Sequence, residues 1–239
     1  MERVPSQETG EPKNQHKWNE KVRDLESIVD ALGSHIEDGI KETVAGLQLL
    51  GFNTTGSCEG HNNWGSPYPW VQMNTGGEPK YRWEGEKEMR EIIAAELHIA
   101  SREIEQSSPQ YDFIKWEKVD DIFHERLPDN APETKEYIAW IEKNRELANR
   151  LEFLIKKFYS TDVPNAKLPR VTIQLFFAGS EPRLLIDDEK RKDDEEEIER
   201  IIKEKKIPST ALIERVSRRQ TEMKRFPAFL KHEFFSSQH

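Results

Sequence analysis

Two stretches interrupt an otherwise helical pattern, and they limit what this chain can become. Elsewhere apolar residues recur three or four apart. Trp18, Val22, Leu25 and Leu32 form one stripe; Ile36, Ile40, Val44, Leu47 and Leu50 form the next. The first interruption runs from "FNTTGS" to "PWVQM", residues 52–73. The second runs from "RVTIQLFFAG" to "RLLID", residues 170–187. Both are rich in β-branched and aromatic residues and punctuated by Gly or Pro, which predicts a strand–loop–strand unit and a hairpin. The expected fold is therefore α+β: a small antiparallel sheet of about four strands in two hairpins, covered by several helices.

The helical stretches predict elements over 18–32, 36–50, 85–106, 111–127, 133–159, 188–206 and 208–225. "FPAFLKHEFF" then closes the chain with enough apolar surface to dock. Residues 1–16 are polar, carry Pro5 and Pro12, and read as a flexible N-terminus. Residues 17–187 read as one α+β domain. Residues 188–239 read as a charged helical segment packed on that domain or extending from it.

Composition narrows the function classes. With 34% charged residues and a formal net charge of −9, the chain is a poor whole-surface binder of nucleic acid. Its charge is uneven: an acidic run at 187–199 precedes a segment, 200–239, with ten Lys or Arg against four Glu. A single cysteine rules out an intramolecular disulfide and any multi-cysteine zinc finger. No apolar run is long enough to span a bilayer, and the first sixteen residues hold no apolar signal segment. The expectation is a cytoplasmic protein with no membrane partner, whose oligomeric state the sequence leaves open.

Chemistry concentrates in "TTGSCEGHNNWGSPYPWV", residues 54–71. Cys58, Glu59 and His61 are the candidate catalytic residues. Thr54, Thr55, Ser57 and Asn62 supply hydrogen-bonding groups, and Trp64 and Trp70 supply flat faces for a ligand. Three roles are open to the group. Cys58 is a nucleophile activated by His61 or Glu59. Alternatively, Cys58 and His61 are two ligands of a metal, zinc by their chemistry, with further donors sought at His98 and in "DDIFHE" (120–125). In the third, the loop binds a ligand without covalent chemistry, stacking a base or sugar on its aromatics. Outside the loop, Glu37 and Asp38 suit the start of a helix dipole. His35 reads as a cap-region residue and His98 as a core or boundary histidine within the 85–106 helix.

Two resemblances attach to these residues. Gly51, Phe52 and Thr54, then Ser57, Cys58, Gly60 and His61, then Pro69 and Trp70, form an "SC-x-GH" strand–loop pattern. It resembles a group of uncharacterised bacterial and phage proteins over residues 36–73. Thr54, Thr55, Ser57, Cys58 and Gly60 are also similar to a strand of the wybutosine-synthesising tRNA methyltransferases that act third in that pathway. That likeness implies an RNA substrate and S-adenosylmethionine. His61, however, stands where that family has an arginine, and Gly56 and Glu59 stand where it has serines. Two functions are therefore expected. One is an enzyme or binder of a nucleotide or nucleic-acid-like ligand, centred on Cys58, Glu59 and His61. The other is a non-enzymatic interaction protein using the charged helices and the aromatic C-terminus.

Overall fold

The structure, a computed structural model, describes residues 13–29, 33–99, 113–160, 168–176 and 181–237. Among them are seven helices and four strands, the α+β arrangement expected. Expectations for the flexible N-terminus before residue 13, for 100–106 of the third helix and for the turn at 179–180 lie outside the described residues.

The chain divides into two compact units, residues 1–74 with 144–239, and residues 75–143. In the first, β1 (Asn53–Cys58) pairs with β2 (Trp70–Asn74), and β3 (Arg170–Phe176) with β4 (Glu181–Asp187). β2 and β4 join the hairpins into one antiparallel sheet of order β1-β2-β4-β3. The late hairpin thus completes the sheet begun by residues 52–73, and β1 is an outer strand. A bulge between Thr54 and Gly56 interrupts its register with β2.

Val71, Met73, Val171, Leu184 and Ile186 turn apolar side chains into a core shared with α1 (Lys13–Glu26), α2 (Asp38–Leu49) and α7 (Thr210–Ser236). α1 ends before the predicted Leu32. Ile28 and the β-branched Val29 fall beyond it, half exposed, and Val29 bridges to His35. α2 stops where Gly51 takes φ +82°, a conformation that costs glycine little. Gly46 lets α2 approach its neighbours closely; a methyl group there would stand 2.8 Å from Leu230. α7 continues well past residue 225. Pro227 removes one helical N–H, but Phe226, Leu230 and Phe234 on the same helix are buried in the core, which offsets that loss.

Between α6 (Arg191–Glu204) and α7 lies a buried ion network. Arg219, fully buried, pairs with Asp188 and Asp194 at 2.7 Å each and donates to Pro67 O at 3.1 Å. The second unit contains α3 (Glu86–Glu96), α4 (Phe113–Arg126) and the first turns of α5 (Lys135–Phe158). Its core is Ile93, Ala94, Val119 and Phe123. α3 ends at Glu96, and His98 follows it with φ +56° instead of sitting inside the helix. The later turns of α5 belong to the first unit, where Leu147 and Leu151 join the main core. Among the described residues no helix is long and apolar enough to cross a membrane.

Candidate functional site

β1 ends at Cys58, and the chain reverses at once. Gly60 makes this possible with φ +86°. A Cβ on it would lie 2.9 Å from the backbone of Tyr68 and Pro69, so only glycine fits. Its N–H points back at Cys58 Sγ, 3.4 Å away. His61 N–H donates to Ser66 O at 2.7 Å and closes the loop. α7 then fastens it: Gln220 Nε2 donates to Gly60 O at 2.9 Å, beside the bond from Arg219 to Pro67 O. A loop held at both its carbonyls and its turn keeps its side chains in fixed directions.

A second segment completes the site. Glu37 is the N-cap residue of α2, yet its side chain makes no cap hydrogen bond. That service comes from Glu59, whose Oε2 accepts from Gly39 N–H at 2.8 Å, near the positive end of the helix dipole. In return, Glu37 Oε2 accepts from Glu59 N–H at 2.6 Å. The two carboxylates are crossed between segments about twenty residues apart in sequence. Glu37 Oε1 is thereby turned toward His61 Nε2, 2.7 Å away.

Glu37, Cys58 and His61 bring one oxygen, one sulfur and one nitrogen within 4.8 Å of one another. Cys58 is buried. Burial pushes its thiol up to about 11, helped by the negative charges of Glu37 and Glu59 and only partly opposed by the N–H groups of Gly60 and Ser66. His61 Nε2 is sealed from solvent and makes no hydrogen bond despite its short distance to Glu37, because the oxygen lies off the direction in which a ring N–H would point. Trp64 stacks on His61, the ring centroids 3.8 Å apart and the planes at 21°.

Two of the three, Glu37 and Cys58, border a cavity of about 820 Å³, and His61 is not among its lining residues. Thr54, Thr55, Ser57, Trp64 and Trp70 from the expected ligand set line it too. Asn62 does not. Trp70 is fixed by Arg183, 4.2 Å from its ring, and Thr54 accepts from Gln48 at 2.7 Å. Glu59 is not at the centre as expected; its carboxylate is committed to α2, and Glu37 occupies the place given to it. The donors sought at 120–125 lie in the other unit, where Asp120 binds Arg90 at 2.7 Å. His35, read from the sequence as a cap residue, lines the cavity. Glu37 was hidden because an acid at a helix start already has an ordinary explanation. Gly39 was the available signal: a methyl group there would stand 2.5 Å from Glu59 Oε2. A glycine in the first turn of a helix implies that something approaches it closely.

No family model matches the chain, and no curated protein or solved structure does so either.

Proposed function

We propose that Glu37, Cys58 and His61 bind a divalent zinc ion, and that the ion's open position, facing the cavity, makes the chain a hydrolytic enzyme. The convergence of three unlike ligand atoms within 4.8 Å carries this reading. Thiolate, imidazole and carboxylate together suit zinc, and three protein ligands with a fourth position left for water are the pattern of catalytic zinc sites. The off-line approach of Glu37 to Nε2 fits a pair of donors facing a common cation. Seating the ion asks the two to part from 2.7 Å to about 3.3 Å, the edge of a tetrahedron with ~2 Å bonds. The N–H of Glu59 holds the second oxygen of Glu37 and aims the first.

The metal also resolves the awkward thiol. With its pKa at about 11, roughly one Cys58 in ten thousand is ionised at pH 7, too few for an unaided nucleophile. The same acidic surroundings that suppress a thiolate attract a dication, which displaces the thiol proton. Held by Glu37, Cys58 and His61, the ion would supply a Lewis acid and a water made nucleophilic at neutral pH; the hydrolysis it would serve forms a C–O bond, breaks the bond from carbon to the leaving heteroatom and passes a water proton to that heteroatom. The nucleotide-like ligand suggested by the sequence has Trp64 as its support, but the described cavity lining contains no Lys or Arg to answer a phosphate.

The test is metal binding to purified full-length chain. Cobalt substituted for zinc gives a thiolate charge-transfer band, absent in Cys58→Ser, and His61→Ala and Glu37→Ala each weaken zinc by about tenfold or more. A wild-type chain that fails to bind zinc in a competition titration ends the proposal.

A further inference from the structure

We infer that the substrate is an extended peptide that pairs, backbone to backbone, with the outer edge of β1 and presents a peptide bond to the Glu37–Cys58–His61 cluster. This rests on the hydrolytic reading for its chemistry, but not for its binding mode.

The cavity lining carries the inference. Residues 54–58 all contribute to it, five in succession. Side chains of a strand alternate between faces, so a cavity against one face would take every second residue. Gly56 has no side chain to offer and Thr55 sits in the bulge, so the backbone of β1 itself forms part of the wall, with Trp70 of β2 beside it. β1 is outermost in the sheet, and among the described residues no strand and no backbone hydrogen bond covers its outer side. Such an edge presents N–H and C=O groups whose natural complement is another backbone.

The rest of the cavity agrees. Ile28 and Val29, about half exposed, line the same cavity with Ile36, and Trp64, stacked on His61, is 54% exposed. These surfaces suit the alternating side chains of an added strand. The titratable side chains of the described lining are His35, Glu37 and Cys58, with no cation, which matches a neutral amide chain better than a phosphate or carboxylate ligand. β1 runs toward Cys58 and is regular from Gly56 to Cys58, so a guest pairs over about three residues, ~10 Å, and follows the strand to the cluster. There water adds across the amide: C–O forms, C–N breaks, and the amine leaves with a water proton.

Hydrogen exchange on the zinc-loaded full chain tests this. The probe is a pool of blocked random peptides of about six residues. Exchange within residues 56–58 is expected to slow by about tenfold or more, and mass spectrometry is expected to find cleaved peptides. The same pool with N-methylated backbones should protect nothing. The proposal is overturned if the pool leaves β1 exchange unchanged, or if N-methylated peptides, nucleosides or oligosaccharides protect it equally well. Protection by peptides in a chain that binds no zinc would sink the hydrolytic reading and leave strand pairing standing.

Discussion

Replacing Glu37 or Glu59 by glutamine separates two jobs that the geometry divides between them. Glu37→Gln is expected to weaken zinc by about tenfold or more while costing little stability. Glu59→Gln is expected to keep the metal stoichiometry and to destabilise α2 by about 0.5–1 kcal/mol, through loss of charge at the helix start. Calorimetric zinc titration and denaturant unfolding of both variants check the division. Cys58 gives a pH prediction. Its folded pKa of about 11 lies above the ordinary 9.0. As pH rises past 9 the unfolded chain loses its thiol proton first, so metal-free stability falls through the window from 9 to 11. The wild type should lose roughly 2 kcal/mol more than Cys58→Ala across that window, measured by urea unfolding. Gly60→Ala should cost at least about 2 kcal/mol, since it meets both a strained φ and two backbone atoms.

At the scale of elements, α7 governs the loop. Gln220→Ala removes the bond to Gly60 O and should cost about 0.5–1.5 kcal/mol, with faster amide exchange at residues 59–66. Arg219→Ala should cost about 3–5 kcal/mol, because it strands Asp188 and leaves the buried Asp194 with Arg215 alone. The elements were also the most legible part of the sequence. β-branched and aromatic stretches punctuated by Gly or Pro marked all four strands, and helical stripes marked the helices that pack on them. What failed was their ends. Val29 bridges to His35 where periodicity alone would have continued α1, and burial of Phe226 and Leu230 carries α7 through a proline that normally stops a helix. Those outcomes depend on tertiary partners that no local window contains.

For the whole molecule, the two units can be perturbed apart. Phe123→Ala should destabilise the unit of α3 and α4 by about 3–5 kcal/mol and speed its exchange, while zinc titration of the other unit is unchanged. The site itself was half legible. Cys58, His61 and Trp64 stood together in one loop and could be chosen by their chemistry. Glu37 and His35 could not, since they arrive from a separate segment through a fold that spacing does not encode. The bulge at Thr55 carries a last consequence. A bare sheet margin invites other copies of the chain to stack on it. Here the irregularity after Thr54 leaves Gly56–Cys58 as the longest regular stretch, long enough to grip a short guest but too brief to seed a fibril. Restoring the regular pleat by deleting Thr55 would then trade solubility for a longer adhesive rim.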